Sequence, residues 1–497
     1  MKKVIFISSE AIPLAKTGGL ADVCGVLPGH LQSDRYSVEL VLPAYSCVAS
    51  SGRVIGETEI DLAIPMGGDL LGARLLHTEL ADGTRVHLID RPSMFHRDGL
   101  YGPPGDAYAD NGSRFLFFCR AALRAIQRLH ANAPPAILHC HDWQTALIPA
   151  LIRADDSLAA GFAGTRSVLT IHNLAYQGHF DKSLFPATGL SWNHFNSESF
   201  EYYDGMNFLK TGILAADHLT TVSPTYADEI CTPEFGCGLD AILNSRRKHL
   251  TGIVNGIDET VWNPMTDPHL DVQFGVQDWV AGKSVCREAI AGELELSAPS
   301  DWPMIGLVGR LAQQKGWDLI LPMLRRMLAE GYQVRWAVLG SGDATMEQQL
   351  RDLRAGHPDR FGCHIGFSER LAHRIEAGAD FFLMPSHYEP CGLNQLYSLR
   401  YGAVPIVTPT GGLADTVRDA TPANLADRVA TGFYVRQRSA DGVQEAVQRA
   451  IDFRYQQPDA FAGLVSAGMR QDWSWKESAR KYTQTYEMLT GEAATNP

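Results

Sequence analysis

The sequence predicts an α/β protein built from two doubly wound domains, each a parallel sheet covered by helices, and three observations lead there. Short apolar runs alternate with helical patterns along most of the 497 residues, as expected for parallel strands buried on both faces. The alternation lapses around Gly256-Ile257-Asp258 and Trp262-Asn263-Pro264, then restarts. The hexapeptide Thr17-Gly18-Gly19-Leu20-Ala21-Asp22 recurs word for word as Thr410-Gly411-Gly412-Leu413-Ala414-Asp415, each copy following an apolar strand-like run.

In order, the first half gives strands at Val4–Ile7, Val38–Leu42, Val86–Ile89, Ala136–His139, Ser167–Ile171 and His218–Val222, with helices such as Asn111–His130 and Trp143–Arg153 between them. A further short strand falls around Thr251–Asn255, and the hinge follows it. The second half gives strands at Met304–Val308, Val334–Leu339, His364–Ile365, Phe381–Met384 and Val404–Val407, ending with Gly432-Phe433-Tyr434-Val435. The domains are expected at 1–257 and 258–476, with an amphipathic C-terminal helix and tail over 477–497, of which Glu492–Pro497 reads as frayed.

A hydrophobic content of 45% is ample for large cores. The net charge of −13 gives no general attraction to nucleic acid or to an anionic membrane, so a phosphorylated ligand must be held by local cations and backbone N–H groups. The nine cysteines are scattered without a C-x-x-C pair and read mostly as small buried apolar residues, of a reducing, cytoplasmic compartment. The apolar run after Met1-Lys2-Lys3 breaks at Ser8-Ser9-Glu10, which argues against a signal peptide, and no stretch approaches a membrane span.

A strand followed by Gly-Gly and a helix start presents backbone N–H groups at the positive end of a helix dipole, with no Cβ to keep an anion away. One such turn alone is more often ordinary loop geometry; the same turn in both halves points to phosphate chemistry. Lys16, just before the first copy, supplies a cation there, or is a surface lysine. Arg310 and Lys315 follow the strand Met304–Val308, where arginine suits bidentate and lysine point contact with phosphate; the alternative is a pair of solvated loop charges.

Strand ends also carry His139-Cys140-His141-Asp142 and His172-Asn173. Alternation puts His139 and His141 on one face, but no further ligand at regular spacing supports a metal site. Asp142, His172 and Asn173 suit hydrogen bonding to sugar hydroxyls or phosphate, whereas His139 also reads as a core histidine satisfied by backbone. Glu389-Pro390-Cys391-Gly392-Leu393 precedes a helix near Asn394, where a carboxylate and backbone N–H groups can meet a polyhydroxylated ring, or Glu389 merely caps the helix.

Taken together, K-T-G-G-L-A-D-V, H-D-W-Q-T, T-I-H-N-L-A-Y-Q-G, T-V-S-P-T-Y-A-D-E-I, G-I-V-N-G-I-D-x-x-x-W-N-P, G-R-L-A-Q-Q-K-G-W-D, E-P-C-G-L-N-Q-L-Y and T-G-G-L-A-D-T-V resemble the bacterial glycogen synthases, which are closely similar to plastid starch synthases. The resemblance runs from about residue 3 to 480 and is specific because so many motifs agree. It implies the GT-B glycosyltransferase fold: two Rossmann-like domains with parallel sheets facing a deep cleft, and a C-terminal helix returning to the first domain. It implies transfer of glucose from ADP-glucose to the non-reducing end of an α-1,4-glucan such as glycogen, with retention, no metal and no cofactor.

Carried over by position, Lys16, Gly18 and Gly19 approach the donor diphosphate and sugar, and Asp22 lies near the nucleotide pocket. Arg310 and Lys315 neutralise departing ADP, helped by the helix opening at Thr410, Gly411 and Gly412, and Phe367 stacks on adenine. His172 and Asn173 hold the glucosyl group, Asp142 lies near the reacting sugar, and Glu389 with the Cys391, Gly392 and Leu393 backbone holds its hydroxyls. The family places acceptor contacts in the loop before the Asn111 helix, where Tyr108 and Asn111 are candidates; the alternative is that its aromatics pack into its own base.

Two positions depart from common patterns. Many retaining GT-B enzymes carry a second glutamate eight positions after the first, where this chain has Tyr397; and the family often has tyrosine where this chain has Phe367. No nucleophile presents itself for a covalent sugar intermediate, so a front-face displacement is the family expectation. A sugar-nucleotide epimerase and a nonenzymatic glucan-binding protein are the alternatives.

Overall fold

The computed structural model describes residues 1–103 and 105–491. Two compact units form, one of Met1–Gly256 together with the segment from Trp475, the other of Ile257–Ser474. The tail expected to fray, 492–497, lies outside the described residues.

The first unit contributes β1 (Lys2–Ile7), β2 (Tyr36–Pro43), β3 (Gly56–Met66), β4 (Asp69–Glu79), β5 (Arg85–Asp90), β6 (Ile137–His141), β7 (Arg166–Ile171), β8 (His179–Asp181), β9 (Glu201–Tyr202), β10 (Gly205–Asn207), β11 (His218–Thr221) and β12 (Leu250–Gly252). A nine-stranded sheet runs in the order β12-β11-β7-β6-β1-β2-β5-β4-β3, beside a small sheet β8-β10-β9. Pairing is parallel from β12 to β5, and β4 and β3 extend the edge antiparallel. All five residues of β6 are buried, as the apolar-run argument requires of a central parallel strand.

The β3–β4 hairpin is absent from the sequence reading because Gly56–Met66 alternates charged and apolar residues and buries only its later inward positions. It carries the period of a half-exposed strand, not an unbroken apolar run. The helix expected over Trp143–Arg153 is regular only over Ile148–Ala154. Before it, Asp142 takes a positive φ of 56° and the Thr145 hydroxyl bonds to the His141 backbone, a local turn that competes with helix. The C-terminal helix Trp475–Leu489 belongs to the first unit, with Tyr486 edge-on to Tyr36 and Ser478 donating to the Val254 carbonyl.

The second unit contributes β13 (Met304–Val308), β14 (Arg335–Gly340), β15 (Phe361–Ile365), β16 (Phe381–Met384), β17 (Val404–Val407) and β18 (Phe433–Tyr434), all parallel in the order β15-β14-β13-β16-β17-β18. Ile305, Leu307, Trp336, Val338, Phe381 and Ile406 pack one face of this sheet in a single core with Ile320, Leu324 and Leu328 of the helix Trp317–Ala329.

Numbered within its own unit, this order is 3-2-1-4-5-6, and β5-β2-β1-β6-β7-β11 repeats it in the first unit. The chain reverses its winding direction between β1 and β6 in one unit and between β13 and β16 in the other. Beyond the carboxyl ends of strands flanking such a switch point, a doubly wound sheet leaves a crevice for ligand. No helix is long and apolar enough to cross a membrane among the described residues.

Candidate active site

In the second unit the crevice residues follow β13, β16 and β17. The turn after β13 ends in the short 3-10 helix Gln313–Lys315, and Lys315 Nζ donates to Glu389 Oε2 at 2.5 Å. Ser386 donates to the same oxygen at 3.1 Å, so a nearly buried carboxylate has a cation and a hydroxyl on one side. Arg310 is exposed, with its guanidinium on Gln314 at 3.1 Å. Asn394 Nδ2 donates to the Val308 carbonyl and ties the helix Asn394–Tyr401 to the end of β13.

The loop carrying Glu389, Cys391, Gly392 and Leu393 is gripped by glycines on two sides. Gly316, at φ 78°, lies where a Cβ would come 2.2 Å from the Pro385 carbonyl oxygen. Gly411 and Gly412 lie where a Cβ would come 2.0 Å from the Glu389 and Cys391 carbonyl oxygens respectively. The Gly412 N–H donates to the Glu389 carbonyl at 3.1 Å. The second Thr-Gly-Gly therefore serves close backbone packing, and one of its amides is spent on the loop it supports.

The first copy is arranged differently. Gly18 is extended and faces open space, with no atom within 4 Å of a notional Cβ. The amides of Thr17 and Gly18 donate to Glu10 Oε2 at 2.5 and 3.2 Å, while the Thr17 and Tyr101 hydroxyls donate to Oε1 at 2.7 and 2.6 Å. Glu10, an acid just beyond β1, was missed by sequence reasoning; its position seven residues before the paired turn amides was the available signal. Gly19 opens the helix Gly19–Leu31, and Lys16 pairs with Asp22 at 2.7 Å on the surface.

The ends of β6 and β7 carry the remaining first-unit candidates. Asp142 is buried and its Oδ1 accepts the His172 N–H at 2.7 Å. Burial pushes its carboxyl up to about 7, against the opposing pull of the His172 and Asn173 amides. Desolvation likewise takes the His172 imidazole down to about 3, so the ring is neutral. Asn173 Oδ1 accepts the Ala175 N–H at 3.0 Å, a turn that fixes which way its amide points. His139 is fully buried, between the Tyr486 hydroxyl at 2.7 Å and the Thr170 hydroxyl at 2.6 Å, so side chains and not backbone satisfy this core histidine.

The acceptor-loop candidates have local partners. Asn111 is buried, donating to the Tyr101 carbonyl and accepting from Arg114. The Tyr108 hydroxyl donates to the Asp98 carbonyl, and its ring lies near both the Arg97 and Arg114 guanidiniums, at 5.1 and 5.0 Å. Phe367, after Gly366 at the end of β15, is 86% exposed. Tyr397 lies flat against Trp262, ring centroids 3.7 Å apart, and His373 stacks on Trp262 at 3.8 Å, so this position supports an aromatic stack. Among the described residues no group of three or more His, Cys, Asp or Glu is placed to hold a metal ion.

Comparison with known proteins shows the family. The starch synthase catalytic domain family matches residues 3–245, and the glycosyl transferases group 1 family matches residues 295–461. The chain is 50% identical over 493 residues to a glycogen synthase of Rhodopirellula baltica, covering 97% of each chain. It is 44% identical over 488 residues to a glycogen synthase of Anaeromyxobacter dehalogenans, covering 98% of this chain and 99% of that one. The catalytic domain of starch synthase IV from Arabidopsis thaliana, bound to ADP and acarbose, matches with a TM-score of 0.89 and 33% identity over 99% of both chains.

Proposed function

Because this chain belongs to the glycogen and starch synthase family, and is thus a GT-B glycosyltransferase of glycogen synthesis, we propose that it transfers glucose from ADP-glucose to the non-reducing end of an α-1,4-glucan with retention. Membership of that family sets aside the epimerase and the nonenzymatic glucan binder. The observation that carries the choice of donor is the likeness, over 99% of both chains, to the catalytic domain of a starch synthase bound to ADP and acarbose.

The residues fit the parts of such a reaction. Lys315 and Arg310 neutralise charge that grows on the diphosphate as the glycosidic bond breaks, and this kind of stabilisation is strongest in the transition state. Gly411 and Gly412 hold the Glu389 loop, so that Glu389 and the Cys391-Gly392-Leu393 backbone meet the glucosyl hydroxyls, and the helix opening at Thr410 helps to neutralise the departing ADP. His172 and Asn173 hold the same sugar from the first unit, with Asp142 beside them near the reacting centre. Lys16, Gly18 and Gly19 approach the donor, Asp22 lies near the nucleotide, Phe367 stacks on adenine, and Tyr108 and Asn111 belong to the acceptor path.

In the front-face displacement, the bond from the anomeric carbon to the diphosphate oxygen breaks and a bond to the acceptor hydroxyl oxygen forms on the same side. The acceptor proton passes to the departing phosphate oxygen, so no protein nucleophile is required. Incubation with ADP-glucose and glycogen should release ADP and lengthen α-linked chains, with UDP-glucose much poorer in parallel. Equal use of UDP-glucose overturns the donor assignment; a β-linked product overturns retention. Tyr108→Ala should raise the glucan concentration at half-maximal rate and leave ADP-glucose affinity nearly unchanged; equal loss of both assigns Tyr108 to the fold.

A further inference from the structure

Beneath the first-unit site runs a column of histidines of which the proposed reaction uses only the last. His139 has both ring nitrogens engaged, by Tyr486 and Thr170. His141, on the same face of β6, stacks on His139 with centroids 4.3 Å apart and interplanar angle 29°. Its Nδ1 lies 3.0 Å from His172 Nε2. Its Nε2 is buried and has no hydrogen-bond partner among the described residues. Desolvation holds His139 and His141 well below the ordinary imidazole range, and His172 with them, so all three rings are neutral.

Two neutral imidazoles this close share one proton, and only two arrangements exist. If His172 donates from Nε2, then His141 must carry its own proton on Nε2, as a buried N–H with nothing to accept it. If His141 donates from Nδ1, its Nε2 is a bare lone pair, and His172 carries its proton on Nδ1. A buried N–H without an acceptor is the rarer defect in folded proteins, which selects the second arrangement. It leaves His172 with a single ring nitrogen for a ligand, and that nitrogen is a donor.

We propose that His141 is a positioning residue: through its Nδ1–H it pins His172 by Nε2, so that His172 meets the transferred glucosyl group through Nδ1–H as a hydrogen-bond donor. The hydrogen bond to one ring nitrogen sets the tautomer at the other. A histidine held in the wrong tautomer loses most of its catalytic contribution with its geometry otherwise intact. The inference rests on the reading that His172 holds the glucosyl group.

The test has two arms on the full chain. In ring proton–nitrogen spectra of histidine-labelled protein, assigned with His141→Asn and His172→Gln, His172 should appear as the Nδ1–H tautomer; the Nε2–H tautomer overturns the proposal whatever the enzyme does. In kinetics, His141→Phe removes the donor and should lower turnover about a hundredfold, while His141→Asn, whose amide N–H takes the place of Nδ1–H, should recover at least about a tenth of the native rate. Equal loss in both variants marks His141 as packing alone and overturns the proposal. An unchanged rate in His172→Gln instead overturns the glucosyl-binding role of His172, and the spectra still report the tautomer.

Discussion

The two copies of Thr-Gly-Gly-Leu-Ala-Asp are identical in sequence and unlike in use. In the first unit the turn is open: Gly18 faces empty space, and the amides before the helix hold the Glu10 carboxylate. In the second unit the glycines are pressed against the Glu389 and Cys391 carbonyls and keep the Glu389 loop in place. The neighbouring ion pairs differ in the same sense. Lys16–Asp22 is an exposed pair, with 49% of the lysine side chain accessible, whereas Lys315 reaches a Glu389 side chain only 6% accessible. An identical peptide thus acts as a polar nest where its surroundings are open and as a packing hinge where they are closed.

The largest effect that can break this comparison is on turnover. Lys315→Met should lower kcat by about 10²–10³-fold, the usual consequence of removing one preorganised electrostatic donor. Lys16→Met, at an exposed and screened pair, should cost about tenfold or less. Steady-state rates of the two purified variants decide it, and equal losses would show that both turns carry the same charge work.

Next comes stability. Gly412→Ala drives a Cβ into a backbone oxygen that no side-chain rotation can move, and should destabilise the second unit by about 3 kcal/mol. Gly18→Ala meets nothing and should cost under about 1 kcal/mol, mainly through its position before a helix. Denaturant titration of both variants measures the difference, and a near-neutral Gly412→Ala would remove the packing role of the second copy.

A smaller effect sharpens the first-unit half of the comparison. Burial raises the Asp142 carboxyl from its ordinary 3.8 to about 7, so its contribution to stability is full below about pH 4 and is lost as pH rises through about 7. Asp142→Asn has no proton to lose, and its thermal midpoint should gain on that of the native chain by several degrees between pH 4 and pH 8. Midpoint curves that stay parallel across that range contradict a buried, desolvated carboxyl at this position.

Much of the fold was legible because parallel strands buried on both faces must be written as apolar runs: β1, β6, β13, β16 and β17 are such runs. The β3–β4 hairpin was not, because one of its faces stays wet and its pattern alternates. Among the site candidates, strand-end position pointed to Asp142, His172 and Lys315, since a doubly wound sheet presents those ends to ligand, and a place just before a helix pointed to Glu389. Glu10 was legible only as an acid seven residues before the paired turn amides, because the Tyr101 hydroxyl that completes its shell comes from a loop 91 residues away.

By itself, then, the sequence determined the fold class, the alternation of strand and helix, the family, and which residue types stand at the strand ends, all of which depend on local pattern and on motif identity. Only the tertiary structure decided which glycines face open space and which are pressed on carbonyls. The same holds for the Lys315–Glu389 pair, drawn from residues 74 apart in the chain, and for Tyr486 of the last helix reaching His139 of β6. Those contacts arise from the packing of segments far apart in sequence. Desolvation, which depends on everything packed around a group, then fixes the protonation of Asp142 and of the histidines beside it.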